Sequence, residues 1–127
     1  MNNEINKVRL FRKVFGLPIS ETPEIPNPER CELMKRLINE EIGEMLGGLK
    51  CNNIAELADG LIDSMYILIG IAHECGIADK LEAMFEEVHR SNMSKLDENG
   101  EVLYREDGKV LKSDLFFPPD LETILKN

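Results

Sequence analysis

The chain has 127 residues, of which 43% are hydrophobic and 31% charged, so we expect one folded globular domain over residues 1–127. Its formal net charge of −9 argues against electrostatic binding to nucleic acid or to an anionic membrane. Scattered cysteines without a CxxC pair or signal peptide predict a cytoplasmic location, and no apolar stretch reaches the ~20 residues that span a bilayer.

Proline and capping residues delimit the first two predicted helices. An amphipathic pattern predicts a helix over residues 3–15, which the Gly16–Pro18 segment ends. A second helix is predicted to begin with Asn27 as its N-cap and Pro28 in its first turn. Its apolar positions continue to about Gly47–Gly48, where we expect it to end.

The next two helices carry the main apolar stretches. Asn53 is a suitable N-cap for a third helix over residues 54–75, whose second half is apolar on nearly every face. That pattern predicts the buried core helix of a bundle. A fourth helix is predicted from about Asp79 to about Lys95 by apolar residues at helical spacing.

The C-terminal part of the chain has turn signals in place of helical periodicity. Asn99-Gly100 and Asp107-Gly108 flank short apolar runs and predict a small hairpin or irregular segment near residues 97–115. Pro118-Pro119-Asp120 then precedes a last short helix. The expected fold is therefore all-α, a four- to five-helix bundle with one hairpin or irregular segment.

Acidic residues occupy positions on the second helix where apolar residues would be expected. Glu40, Glu41 and Glu44 share one face, and Glu44 continues the apolar line of Leu33 and Leu37. Any single acid at such a position is most often an ordinary solvated surface residue. A group of three on an apolar line is less easily explained in that way.

A similar pattern is found on the third helix. Glu56, Asp59 and Asp63 lie on a line that runs on to Ile67 and Gly70. Asp59 and Asp63 fit a surface position poorly, because their helix has little polar surface to offer. Acidic residues have therefore replaced apolar ones on two stripes that should face each other.

Gathering these carboxylates has an electrostatic cost. Two like charges ~5 Å apart repel by roughly 3 kcal/mol at an effective dielectric constant of ~20. A bound cation would remove that cost, and all-oxygen ligation suits magnesium, or alternatively manganese, which also bind substrate phosphates. Zinc is disfavoured, since no Cys or His has ligand spacing beside the acids.

The acidic motifs resemble those of a known superfamily. EEIGE at 40–44 followed by ELAD at 56–59 is similar to the ExxE and ExxD signature of the all-α nucleoside triphosphate pyrophosphohydrolases. RLFRKVFGLPISETP (9–23), EVHRSNMSKL (87–96) and YREDGKVLK (104–112) resemble MazG-like proteins of the phosphoribosyl-ATP pyrophosphohydrolase-like group. The resemblance thus covers most of the chain.

This resemblance implies both a site and a reaction. Its metal ligands would be four carboxylates of the two motifs: Glu41, Glu44, Glu56 and Asp59. Glu40 would be a further ligand or would orient the attacking water. The substrate would be a nucleotide, either a (deoxy)nucleoside triphosphate or phosphoribosyl-ATP, cleaved between the α- and β-phosphates to give the monophosphate and pyrophosphate.

The end of the fourth helix carries groups that suit phosphate binding. The resemblance implies that Arg90, Asn92 and Lys95 reach the substrate phosphates, with Lys95 also acting in catalysis. The residues alone also allow a structural role, because cations near a helix C-terminus stabilise the helix dipole. Asp63 is likewise left between two interpretations, support of the metal ligands and a polar contact between helices.

Further expectations concern assembly and rival functions. Two acid-bearing helices do not enclose a nucleotide, so we expect a homodimer through the apolar third helix, with the site near the interface. The resemblance also implies dimers and, in some members, tetramers. One rival is a non-catalytic helical interaction protein stabilised by a cation. Glu86-x-x-His89 has the spacing found in di-iron bundles, but the second such motif that those bundles need is missing.

Overall fold

A computed structural model of the chain describes all 127 residues, which form five α-helices and no β-strand. The helices are α1 (Asn2–Val14), α2 (Pro28–Lys50), α3 (Ile54–Glu74), α4 (Leu81–Met93) and α5 (Leu121–Lys126). The all-α prediction is confirmed. The chain divides into two compact units, Met1–Asp79 and Lys80–Asn127.

Side-chain caps fix the beginnings of two of the long helices. Asn27 accepts a hydrogen bond from the backbone N–H of Arg30, and Asn53 accepts one from the backbone N–H of Glu56. Each cap satisfies a donor that the first helical turn would otherwise leave unpaired. Helices α2 and α3 therefore begin where the sequence predicts.

Helices α2 and α3 form an antiparallel hairpin in which the two backbones touch at two glycines. A Cβ at Gly48 would lie 2.3 Å from the backbone nitrogen of Leu57, and one at Gly60 would lie 2.4 Å from that of Met45. No side chain fits in such a space, so glycine sets the separation of the helices. The contact also holds the last turn of α2 in helical form, which is why α2 continues past the predicted end to Lys50.

Helix α1 packs across α3 through a small buried patch. Ile5 and Val8 are buried, and so is His73 of α3. The Nε2 of His73 donates a hydrogen bond of 2.8 Å to the carbonyl of Ile5, because a carbonyl can only accept. This bond fixes the position of α1 along α3.

A group of three ionised side chains, of which Arg12 and Glu74 are buried, joins all three helices of the first unit. Glu74 of α3 accepts from Arg12 of α1 at 2.6 Å and from two nitrogens of Arg30 of α2 at 2.7 and 2.8 Å. The Glu74 side chain is 4% exposed. Hydrogen bonds from Arg30 chiefly lower the pKa of Glu74, while burial opposes them. The carboxylate is therefore ionised between two guanidinium groups, and we call this set the Arg12–Glu74–Arg30 triad.

One face of α3 is not enclosed within the chain. Four apolar side chains on that face are exposed: Leu61, Ile62, Met65 and Leu68. Ile62 is 57% exposed and Leu68 is 52% exposed. Within the single chain α1 and α2 cover only part of the circumference of α3, and burial of the rest by a second copy stays a prediction. An exposed apolar surface of this kind is typical of an interaction site.

The second unit is built around α4 and α5. Ser91 is buried and donates a hydrogen bond to the carbonyl of Phe117. Glu87 accepts hydrogen bonds from Arg90 and from the backbone N–H of Asp120, which lower the pKa of Glu87 to about 2. These contacts attach the chain that precedes α5 to α4.

The segment between α4 and α5 has little regular structure. Tyr104 and Val110 form one isolated antiparallel bridge on either side of a turn at Asp107-Gly108. Gly108 has φ of 89°, which favours glycine. The predicted hairpin or irregular segment is therefore confirmed in this reduced form. None of the five helices combines the length and the apolar character needed to cross a membrane.

Replacement of Gly60 by alanine is expected to destabilise the protein. The added methyl group would meet the backbone of Met45 at 2.4 Å, so the helices would have to move apart. Such overpacking typically costs about 1–3 kcal/mol, more than the gain of up to about 1 kcal/mol from the helix propensity of alanine. Urea unfolding measures the difference.

Gly43→Ala is the matched control within α2, because nothing lies within 4 Å of its Cβ position. That variant should be more stable than the parent by roughly 0.5–1 kcal/mol. Equal effects of the two substitutions on the free energy of unfolding would contradict the close approach of α2 and α3.

Candidate metal centre

The antiparallel packing of α2 and α3 brings acidic side chains of both helices together. Gly60 lies against the turn of α2 between Glu41 and Met45. Asp63 follows Gly60 by about one helical turn and so faces the same part of α2. One carboxylate oxygen from each of Glu41, Glu44 and Asp63 lies within 4.8 Å of the other two. We call these three residues the acidic cluster.

Glu41 is the member of the acidic cluster that its surroundings perturb most. Its Oε2 atom is buried and has no hydrogen-bond partner. Burial raises the pKa of Glu41, and the charges of Glu44 and Asp63 raise it further. A buried carboxylate oxygen without a donor is unfavourable for folding when no cation is present.

The residues of the acidic cluster fit a divalent cation. All three ligands are carboxylates on two packed helices, and no histidine or cysteine joins them. Oxygen donors of this kind suit magnesium or manganese, and three of them leave coordination positions for water and phosphate. A cation would give Glu41 the partner that its Oε2 lacks and would offset the repulsion among the three charges. The structure thus agrees with the predicted acidic divalent-metal site.

The acidic cluster contains only part of the predicted ligand set. Glu41 and Glu44 belong to it, whereas three other predicted residues are exposed and lie outside it: Glu40, Glu56 and Asp59. Glu56 lies closer to the connection between the helices, with its Oε1 3.3 Å from the position of a Cβ at Gly47. The roles implied for these three residues stay predictions.

Asp63 has a more central place than its sequence position indicated. Its carboxylate is a full member of the acidic cluster rather than a neighbour of it. The available sequence signal was that Asp63 lies on the same line along α3 as Asp59. That line does not show which residue of α2 each acidic residue faces. The contact at Gly60 decides the register, and it became visible only in the structure.

The predicted phosphate-binding residues lie in the second unit. Arg90 forms an ion pair of 2.9 Å with Glu87 and lies 4.3 Å from the centroid of the Phe117 ring, so it has a structural role. Asn92 is exposed and Lys95 is half-buried. Binding of phosphate by these residues stays a prediction.

The sequence patterns did not predict the Arg12–Glu74–Arg30 triad. Glu74 continues the line of Asp63, Ile67 and Gly70 along α3, and this continuation was the available signal. The two arginines come from different helices, whose pairing with α3 no spacing shows.

An all-α fold that carries facing carboxylates on two packed helices agrees with the resemblance of the motifs to MazG-like nucleoside triphosphate pyrophosphohydrolases. The family model described as phosphoribosyl-ATP pyrophosphohydrolase matches residues 8–92, two thirds of the chain. The chain therefore belongs to the phosphoribosyl-ATP pyrophosphohydrolase family, and the resemblance stated from its motifs is confirmed. The matched range includes the acidic cluster and the Arg12–Glu74–Arg30 triad.

A viral protein is also similar to this chain. Uncharacterized protein L479 of Acanthamoeba polyphaga mimivirus is 27% identical over 96 residues. The alignment covers 72% of this chain and 38% of that protein, so the chain spans less than two fifths of the length of this relative. The name of the relative states no activity.

Replacement of Glu41 by glutamine should weaken binding of manganese at least tenfold in isothermal titration calorimetry, because even changes around metal ligands cost 10–100-fold. Without metal, the same variant should be at least as stable as the parent, since an uncharged amide does not repel Glu44 and Asp63. The expected result is therefore weaker metal binding together with an equal or greater free energy of unfolding in the absence of metal.

Glu82→Gln is the control, because Glu82 is an exposed acid of α4 outside the acidic cluster. It should change neither quantity. A parent protein whose unfolding temperature does not rise with magnesium or manganese would contradict the metal site.

Proposed function

We propose that the chain hydrolyses a nucleoside triphosphate between its α- and β-phosphates and releases the nucleoside monophosphate and pyrophosphate. Magnesium is the proposed cation, and manganese is expected to replace it. The candidate substrates are deoxynucleoside triphosphates, nucleoside triphosphates and phosphoribosyl-ATP, the last because the name of the family states it.

The observation that supports this proposal most directly is the unpartnered carboxylate oxygen of Glu41 beside Glu44 and Asp63. Three carboxylates on packed helices repel a triphosphate unless cations lie between the carboxylates and the phosphates. Triphosphates bring such cations with them, because magnesium binds phosphates and carboxylates together. Membership of the family supports the reaction class, and the acidic cluster supports the need for a divalent metal.

We assign the metal to the acidic cluster, with Glu56 and Asp59 as the further ligands that the family resemblance implies. A bound magnesium ion would neutralise phosphate charge and lower the pKa of a coordinated water. Glu40 is exposed next to Glu41 and is proposed to orient that water and accept its proton. Direct attack by water on phosphorus needs no nucleophilic side chain.

Positive charge is also needed where pyrophosphate leaves. Lys95, Arg90 and Asn92 are proposed to bind the phosphates. Lys95 is the strongest candidate for a catalytic role, because Arg90 is already held by Glu87 and Phe117. A lysine beside the leaving group would stabilise the charge that develops there.

The exposed apolar surface supports a homodimer. On α3 it comprises Leu61, Ile62, Met65 and Leu68, and on α2 it comprises Ile42, Leu46 and Leu49. Helical periodicity places both stripes on one face of the α2–α3 hairpin and the acidic cluster on the opposite face. We propose that two chains pair these faces in a four-helix interface. A tetramer would need a further contact surface.

Incubation with magnesium and a panel of nucleotides tests the activity. The panel contains the canonical deoxynucleoside and nucleoside triphosphates and phosphoribosyl-ATP, and the assay distinguishes pyrophosphate from orthophosphate. We expect pyrophosphate from at least one substrate. Glu41→Ala and Asp59→Ala should each lower the rate by a factor on the order of 100, because ligands to the metal are lost.

Glu82→Ala serves as the control for loss of one negative charge and should keep the parent rate. Binding of magnesium without turnover of any nucleotide in the panel would overturn the proposal in favour of a cation-stabilised interaction protein. Unchanged rates for Glu41→Ala would place the reaction elsewhere in the chain.

Replacement of Leu68 by glutamate should dissociate the proposed dimer, because it introduces a charge into an apolar contact. Light scattering after gel filtration should give the mass of two chains for the parent and of one chain for the variant. Val14→Glu is the control, since Val14 is an exposed apolar residue of α1 outside the paired faces. A parent protein with the mass of one chain would contradict this proposal.

A further inference from the structure

A cavity lies among the three helices of the first unit, and the acidic cluster does not use it. A water-sized sphere can occupy ≈ 130 Å³ of it, and its mouth opens to solvent. Phe11 of α1 and Tyr66 of α3 line it and meet edge to face, with ring centroids 5.5 Å apart. The cavity therefore offers aromatic and aliphatic walls to a planar ligand.

The polar end of this cavity is formed by the Arg12–Glu74–Arg30 triad. Arg12 donates through Nε to the carbonyl of Pro18 and through Nη2 to Glu74. Arg30 donates through Nε and Nη2 to Glu74. The Nη1 atoms of both arginines therefore have no hydrogen-bond partner in the protein.

These free Nη1 groups determine what the polar end can bind. Arg12 is 9% exposed, and its Nη1 lies 3.0 Å from the position of a Cβ at Gly70, a residue that lines the cavity. Glu74 already accepts three hydrogen bonds, which use most of its roughly four lone-pair sites. The polar end therefore offers mainly N–H donors and suits a ligand that presents acceptors.

The cavity begins one helical turn from the acidic cluster. Leu37 and Ile67 line it. Leu37 precedes Glu41 by four residues and Ile67 follows Asp63 by four, which is about 6 Å along each helix axis. A nucleotide whose phosphates bind at the acidic cluster can therefore extend along the α2–α3 groove into the cavity.

We propose that this cavity binds the base of the nucleotide substrate and that Arg12 and Arg30 select bases with a keto oxygen at C6 of a purine or C4 of a pyrimidine, namely guanine, hypoxanthine, uracil or thymine. This inference rests on the proposed function, because it names the substrate class of the same site. Keto oxygens accept from guanidinium groups, as guanine O6 does, whereas adenine and cytosine present an amino group at the corresponding position. An amino N–H that faces a guanidinium N–H would leave both donors without an acceptor. The selection therefore disfavours phosphoribosyl-ATP, whose base is adenine.

Free nucleosides test the cavity without phosphate or metal. Inosine has a keto group at C6 where adenosine has an amino group. Uridine and cytidine differ in the same way at C4. Each is titrated in EDTA into the parent protein, with NMR detection of the aromatic side chains and the arginine Nε–H groups. Inosine and uridine should shift the signals of Phe11, Tyr66 and Arg30 and should bind about tenfold more tightly than their amino partners.

Two variants with matched controls extend the test. Arg30→Gln should weaken binding of inosine about tenfold, and Arg36→Gln, on the same helix but outside the cavity lining, should not. Because Arg30 also anchors Glu74, a second variant keeps the triad intact. Leu37→Trp should fill the cavity and abolish binding, and Leu10→Trp, at an exposed position of α1, should leave it unchanged.

The outcomes separate this inference from the proposed function. Equal binding of the keto and amino nucleosides, shifts confined to residues outside the cavity, or no binding at all would each overturn the inference. Pyrophosphate release without a keto preference would also overturn it and leave the proposed function in place. Keto-selective binding in EDTA, together with no turnover of any triphosphate, would support the cavity assignment and overturn the proposed function.

Discussion

The backbone contact of α2 with α3 at Gly48 and Gly60 determines the geometry of the first unit. A Cβ on either residue would force the helices apart, and the carboxylates of Glu41 and Asp63 would separate with them. The acidic cluster therefore depends on two residues that carry no chemistry of their own. The same contact fixes the register of the hairpin, which decides that Asp63, rather than Asp59, meets Glu41 and Glu44.

The first unit combines two charged groups that affect its stability in opposite ways. In the Arg12–Glu74–Arg30 triad every charge has a partner, and the triad joins three helices. In the acidic cluster three like charges lie close together and one oxygen has no partner. Like charges held close together at a cost in folding stability are typical of sites arranged for binding rather than for folding. The triad and the glycine contact hold the helices in place in spite of that repulsion.

Local signals in the sequence were sufficient for most of the fold. Caps at Asn27 and Asn53 are short-range features, and the helices begin where these residues predict. The acidic motifs likewise identified the helices that carry the acidic cluster and the family to which the chain belongs. Register and burial were not predictable, because they depend on contacts between distant segments. The exposure of one face of α3, the presence of Asp63 in the acidic cluster and the pairing of Arg12 with Glu74 all depend on such contacts.

The groove between α2 and α3 has opposite electrical polarity at its two ends. Three carboxylates lie at one end, and two guanidinium groups with a single carboxylate lie at the other. A metal-free triphosphate would therefore be attracted by the arginine end and repelled by the acidic end, which is the reverse of the orientation that the proposed hydrolysis needs. Cations at the acidic cluster would invert this polarity. The proposed hydrolysis would therefore need the metal to bind before the nucleotide or together with its phosphates, and the metal would set the direction in which the nucleotide enters.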